Sequence, residues 1–517
     1  MSRRHLAILG LILLLAAFFR LNRITGPSLW MDEIWSIEMA MGHGSAHDHL
    51  EPNIIHTDQP DLTGLPDAAP WWSICAHLSG VTHPPLYFVI LRWWIDLFGT
   101  GAAATRSLSA IFSLAAVALF FDVGRILHGP RQALLAAAIS ALAIAQIDFA
   151  QEARSYPMLI FFGLCCADLV VRSEFLGVSR RRLILLAACV FAAALTHYLS
   201  AGALLALGVY TLVRLRGRAR WQTLSAVAAG GILALAIWIP LFISQKQTLP
   251  SLSPTFLREA RVSDHLKLTL YRIIGLPAEF LVGERGGEAM NSSAVLAIFL
   301  FTIPLPLIRL IYRRDLLLWV LWALGTIGFV AALDLAHQTT LVGYLRYTIL
   351  ASPAIYAVVA TFDWPRRALL RDTLAFAFIC ILGIVAVRRS RTDLSAKEDW
   401  RDLSNAVDTL AQPDDLLVFY NADPWVSSGT WFMGLKYYSP ASHHPWLILN
   451  DRADIATLRQ LQSRSSLWLI GLNPESKGDW LLPGWMPQWD TVYQDSAGGA
   501  VRMIPVNYPQ PSQSTRP

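Results

Sequence analysis

The sequence predicts a polytopic α-helical membrane protein with a small α/β domain at its C-terminal end. Hydrophobic residues make up 54% of the 517 positions and charged residues only 15%, with a mean hydropathy of +0.44; soluble domains carry about 25% charged residues. Apolar runs near the roughly 20 residues needed to cross a bilayer recur through the first 390 positions, with arginines between them. Beyond residue 390 short apolar strands alternate with amphipathic helical segments. The 19 tryptophans suit a chain with many membrane–water boundaries. The net charge of +5 needs no nucleic-acid partner, because the arginines fall where topology signals belong.

The N-terminal stretch "MSRRHLAILGLILLLAAFFRLNR" has a basic start and an apolar body but no small-x-small cleavage site, which predicts a retained first spanning helix. Ten further spans follow at 105–124, 132–148, 156–172, 183–197, 200–214, 222–243, 293–311, 315–333, 344–361 and 372–387. The basic segments "GRILHGPR", "RSEFLGVSRRR", "RLRGRARW", "RLIYRRD" and "DWPRRALLRD" mark the cytoplasmic side. Parity then sets about eleven spans, with the N-terminus inside and the C-terminus outside. The run 84–98, "PPLYFVILRWWIDLF", is short, opens on proline and carries Arg92 and Asp96 beside Trp93 and Trp94; it suits the interface plane. The expected organisation is a membrane domain over 1–389, with external loops 23–104 and 244–292, an external α/β domain over 390–505 and a disordered tail over 506–517.

Five cysteines show no CxxC or Cys/His zinc spacing and read as packed thiols. The loop "HGSAHDH" (43–49) reads as a flexible polar loop, and no metal site is assigned.

The predicted topology gathers polar residues on the outer face. Asp32 and Glu33 follow the first span in "SLWMDEIWSIEMA", His83 stands in "THPPLY", and Glu152, Arg154 and Tyr156 lie in "DFAQEARSYP". His197 sits in the hairpin turn "THYLS", and Arg346 and Tyr347 open the run 344–361. Each alone has an ordinary structural reading as a cap, a headgroup anchor or a turn residue. Several ionisable groups at membrane depth on one face signal a functional site. They suit transfer of a sugar from a polyprenyl phosphate: the phosphate leaves as an anion and needs a cation or oriented donors, while the acceptor hydroxyl needs a base.

Taken in order, "SLWMDEIWSIEMA", "THPPLYFVILRWWIDLFGTGAAATRSLSAIFSL", "AQEARSYPMLI", "ALTHYLSAGALLA", "YLRYTILASPAI" and "KEDWRDLSNAVDTL" resemble the bacterial membrane glycosyltransferases of the GT-C type. These are relatives of protein O-mannosyltransferases and of the aminoarabinose and galacturonic acid transferases that act on lipid A and its core. The resemblance implies Asp32 as the base, with Glu33 shaping the same site. It implies Glu152 and Arg154 at the donor, Arg154 holding the phosphate, and Arg346 and Tyr347 near the lipid phosphate. His83 is implied as positional, with Tyr156 and His197 counted in the substrate site. It further implies a polyprenyl-phosphate sugar donor, a cell-envelope acceptor (glycan, lipid or protein), inversion at the anomeric carbon, no certain cofactor, and a bacterial inner membrane with a periplasmic C-terminal domain. A transporter or flippase for lipid-linked sugars is the alternative; such a protein should show mid-span charges and paired broken helices, whereas most charges here lie at span ends. Residues 43–72 have no place in the family pattern.

Overall fold

The computed structural model describes all residues except 1, 79–82, 247–261, 285–288, 363–366, 392–397, 422–426, 451, 472–480, 495–498 and 506–517. The expected tail and positions 247–261 and 285–288 of the expected loop 244–292 therefore lie outside the described residues. The chain forms two compact units, the first from Met1–Ile24 and Leu78–Asp393, the second from Thr25–His77 and Leu394–Pro517. Residues 25–77, read from the sequence as a loop of the membrane domain, thus share a unit with the C-terminal residues.

In chain order the helices begin with α1 (Arg3–Leu21), α2 (Met31–Ala40, in the second unit), α3 (Leu86–Phe98), α4 (Ala102–His128), α5 (Pro130–Leu142), α6 (Ile144–Ala150) and α7 (Tyr156–Leu176). Then come α8 (Arg180–Thr196), α9 (Ser200–Arg214), α10 (Gly217–Lys246), α11 (Val262–Val282), α12 (Ser292–Thr302), α13 (Pro304–Arg309) and α14 (Leu317–His337). The first unit closes with α15 (Leu345–Thr348), α16 (Ser352–Ala360) and α17 (Ala368–Arg391). Among the described residues six helical segments are long and apolar enough to cross a membrane, or seven counting the bent pair α5–α6. The protein is a multi-pass membrane protein. Its apolar residues point outward as well as inward, as in Leu14 at 71% exposure and Leu205 at 63%; in a lipid solvent an exposed leucine costs nothing.

In the first unit α4 packs on α5 and α7, α8 on α7 and α10, and α9 on α14. The α9–α14 crossing is set by glycine. A β-carbon at Gly202 would stand 2.5 Å from the Gly325 carbonyl oxygen, and one at Gly325 2.5 Å from that of Gly202. Only two glycines allow the backbones so close.

Three expected spans are broken. Run 132–148 bends by 57° at Ala143, between α5 and α6. The break leaves the last carbonyls of α5 without helical partners. Arg20 of α1, fully buried, takes them: its guanidinium donates to Ser140 O (3.1 Å) and Ala141 O (3.0 Å) as well as to Ala16 O (3.2 Å) and Ser113 Oγ (2.8 Å). Run 293–311 breaks before Pro304. Run 344–361 breaks into α15, a single 3₁₀ turn and α16, with Pro353 opening α16; proline disfavours helix in the residue before it. In the stretch expected as loop, residues 262–282 form α11. Its polar Asp264, Lys267 and Arg272 hide the helical period, while Leu276, Ala278 and Phe280 are buried.

The second unit holds α2, α18 (Trp400–Leu410), β1 (Leu416–Tyr420), α19 (Gly429–Tyr438), β2 (Trp446–Leu449), α20 (Ile455–Leu461), β3 (Leu467–Gly471), β4 (Trp485–Gln494) and β5 (Gly499–Pro505). The sheet order is β2-β1-β3-β5-β4, with β1 parallel to β2 and β3, and β5 antiparallel to β3 and β4. Leu416, Val418, Leu447, Leu449, Leu467 and Leu469 fill one core. Strand β2 is an open edge, and open edges invite mispairing. The unplaced loop covers it. His56 and Trp446 exchange backbone bonds at 2.8 and 2.9 Å, Asn53 N–H donates to Ile448 O at 2.8 Å, and the His56 ring stacks on Trp446 at 4.4 Å.

Candidate active site

Seven of the nine residues singled out in the sequence belong to the first unit. The turn 151–155 that carries "QEARSY" is held from two sides. Gln151 Nε2 donates to Phe19 O and Asn22 O at 2.9 Å each, the orphan carbonyls at the end of α1. On the other side Arg389 of α17 pairs in two-pronged fashion with Asp148 on α6, at 3.2 Å to each oxygen. Within the turn Arg154 N–H donates to Glu152 O at 2.8 Å, and Ser109 Oγ donates to Arg154 O at 3.0 Å.

Arg154 is buried, 4% exposed, with its guanidinium 5.8 Å from the Tyr156 ring centre. Tyr156 lies 6.0 Å from His197, and His197 meets His83 edge-to-face at 5.4 Å. Arg346 stands 5.2 Å from the rings of both Tyr344 and Tyr347. Burial first, then the charges of Arg154 and Arg346, push His83 well below the usual histidine range. His83 is therefore a neutral imidazole close to two arginines. His197 is fixed in one tautomer: Leu199 N–H donates to its Nδ1 at 3.2 Å, so Nε2 carries the proton. That Nε2–H is buried and has no hydrogen-bond partner among the described residues. His83, Arg154, Tyr156, His197 and Arg346 thus form one cationic, aromatic-walled cluster with a neutral N–H donor. Glu152 shares the Arg154 turn, and Tyr347 packs on Arg346.

The turn before Arg346 is organised by a residue the sequence reading missed. Asp334, buried near the end of α14, accepts from Thr339 Oγ1 (2.6 Å), Leu341 N (2.7 Å) and Val342 N (2.8 Å). Glu284 then accepts Leu345 N–H, the first amide of α15, at 3.0 Å. The signal was present, since an acid near the end of an apolar run needs donors.

Asp32 and Glu33 belong to the second unit, on the first turn of α2. They differ in surroundings. Glu33 is fully buried and accepts Trp30 N–H at 3.3 Å, capping its own helix; Asp32 is partly exposed. Further along α2, buried Glu38 holds the 43–49 loop: its carboxylate accepts His47 N–H at 2.8 Å and meets His47 Nδ1 at 2.7 Å. Burial opposes a charge on His47, but the Glu38 carboxylate outweighs it and raises the imidazole above its ordinary value. Two further histidines of the stretch 43–72 face backbone carbonyls: His43 Nε2 lies 2.9 Å from Asp67 O, and His56 Nε2 lies 2.9 Å from Glu51 O.

Fold and site define a multi-pass helical membrane protein that builds a buried cationic cluster. Among solved structures the chain is similar to ArnT from Cupriavidus metallidurans in the apo state, at 15% identity and a TM-score of 0.45, over 98% of this chain and 99% of that one. It is similar to the oligosaccharyltransferase of Archaeoglobus fulgidus, at 12% identity and a TM-score of 0.48, over 89% of this chain and 67% of that one. It is also similar to the mycobacterial arabinofuranosyltransferase AftD, at 15% identity and a TM-score of 0.41, over 98% of this chain and 42% of that one. No protein-family model matches the chain, and no curated protein matches its sequence.

Proposed function

We propose that the protein is a GT-C type glycosyltransferase that moves a sugar from a polyprenyl-phosphate donor to a hydroxyl of a cell-envelope acceptor, with inversion at the anomeric carbon. The observation that carries this reading is the cluster of Arg154, Arg346 and the His197 Nε2–H, cations and an oriented donor gathered as a leaving phosphate requires. Arg154 would hold the phosphate, since its planar fork matches phosphate oxygens. Neutral His83 and His197 contribute dipoles without adding charge, and Tyr156, Tyr347 and Glu152 hold the arginines in place. Asp32 would take the proton of the acceptor hydroxyl. Glu33, by capping α2, would fix where Asp32 starts.

The reading extends to about eleven spans in a bacterial inner membrane, with the N-terminus cytoplasmic and the second unit periplasmic. It is tested by supplying membranes containing the protein, and an envelope extract, with a polyprenyl-phosphate sugar labelled in the sugar. Label should pass to a hydroxyl-bearing acceptor as free polyprenyl phosphate appears in equal amount. Donor that is moved between leaflets but never cleaved would instead establish the flippase alternative.

A further inference from the structure

The second unit holds a dense set of bonds that the proposed reaction does not use. The segment entering α2 is seized by the first turn of α18 and the end of α19. Arg401 donates through Nη2 to Thr25 O and through Nη1 to Gly26 O, at 3.2 Å each, and through its backbone N–H to Ser28 Oγ at 3.3 Å. The same guanidinium lies 5.6 Å from the Tyr438 ring. The Tyr438 hydroxyl accepts Leu29 N–H at 2.6 Å. One oxygen of Glu398 accepts Met31 N–H, the first amide of α2, at 2.7 Å, and Trp400 Nε1–H at 2.7 Å. Trp400 is itself locked: it is 2% exposed, packs 5.0 Å from Trp431, and sits where a β-carbon on Gly434 would collide with it.

Residues 25, 26, 28, 29 and 31 are therefore each bonded to "EDWR" or to Tyr438, and the next residue is Asp32. Leu29 is fully buried and Trp30 nearly so. Asp32 itself is partly exposed, and Ser36 Oγ donates to its carbonyl at 2.7 Å. A carboxylate that must meet a hydroxyl at 2.6–3.2 Å (the roughly typical reach of a general base) needs a fixed backbone beneath it. Helix α2 has only ten residues and, besides the Glu33–Trp30 cap, takes the bonds at its N-terminal end from distant sequence; alone it would be marginal.

We propose that Glu398, Arg401 and Tyr438 are positioning residues for Asp32, so that the C-terminal α/β fold sets the aim of the base rather than supplying chemistry. This rests on Asp32 being the base. The closing experiment compares Tyr438→Phe, Glu398→Ala and Glu398→Gln with Asp32→Asn in the full-length protein in membranes. It measures kcat, donor KM and the thermal midpoint. Tyr438→Phe and Glu398→Ala should lower kcat by about tenfold to a hundredfold, the scale on which sub-ångström misplacement acts, with donor KM unchanged and the midpoint within a few degrees of wild type. Glu398→Gln keeps an oxygen to accept both N–H groups and should recover most of the rate. Wild-type kcat in Tyr438→Phe and Glu398→Ala, alongside an inactive Asp32→Asn, would overturn the proposal while leaving the base assignment standing. Loss of rate only in step with loss of the midpoint would also overturn it, since that is the behaviour of mere inter-element glue. An active Asp32→Asn would bring down the base assignment itself.

Discussion

At the scale of single residues, position in the chain and role in the fold diverge. Asp32 and Glu33 are neighbours and both acids, yet one is partly exposed and the other is a buried helix cap. The pair was legible in the sequence; its division of labour was not, because "WMDE" has no Ser, Thr, Asp or Asn at the N-cap to announce a capping box. His197 was legible as a turn histidine, but its tautomer depends on one backbone amide two residues on. Arg154 has the most direct consequence. Arg154→Ala should cut transfer by about a hundredfold to a thousandfold, the scale seen when an anion-stabilising donor is removed. Arg154→Lys should recover little of it, because an ammonium is a point charge and not a fork; initial rates at varied donor concentration check both. His47 gives a pH prediction. Its folded value is raised by Glu38, so the stability it supplies is present in full below the ordinary histidine value of about 6.5 and is lost as pH rises through the higher folded value. The thermal midpoint of the second unit, followed by tryptophan fluorescence, should therefore fall across that window. His47→Gln should flatten the fall, and an unchanged slope in that variant would remove His47 as its cause.

At the scale of elements, apolar composition marks spans but not their breaks. Runs 132–148, 293–311 and 344–361 read as continuous because mostly apolar residues run on through each break, with only small hydroxyl side chains such as Thr302, Thr348 and Ser352 beside two of them, and lipid-facing sequence carries no amphipathic period to interrupt. The breaks are nonetheless built. Arg20 takes the carbonyls freed at the first, and Pro304 and Pro353 mark the other two. Helix α11 was missed for the opposite reason, since four charged residues (Asp264, Lys267, Arg272 and Glu279) and Pro277 masked its buried positions. The α9–α14 crossing offers the cleanest test of element packing. Gly325→Val should push the backbones apart at Gly202 and cost about 1–3 kcal/mol, seen as a lower thermal midpoint in detergent. Gly328→Val, three residues on and open to space, should leave it unchanged.

At the scale of the whole molecule, the fold class and the α/β character of the C-terminal residues were readable from composition and period. The joining of 25–77 to 394–517 was not. It depends on edge pairing of His56 with Trp446 and on the grip of Arg401 on Thr25 and Gly26, contacts across more than 370 residues that no local pattern encodes. The proposed orientation has a direct check. A cysteine at Ile455, 71% exposed in the second unit, should react with a membrane-impermeant maleimide in spheroplasts, and one at Tyr312, 83% exposed beside the basic turn 309–314, should react only after lysis. The reverse pattern would invert the topology.

The central proposal is that this membrane protein breaks a sugar–phosphate bond with Asp32 as base. The measurement closest to it is transfer from a sugar-labelled polyprenyl phosphate by Asp32→Asn beside wild type, in membranes with matched amounts of protein. The account predicts loss of transfer by about a thousandfold or more, with labelled donor still retained by the Arg154 cluster. Transfer at the wild-type rate by Asp32→Asn would contradict it.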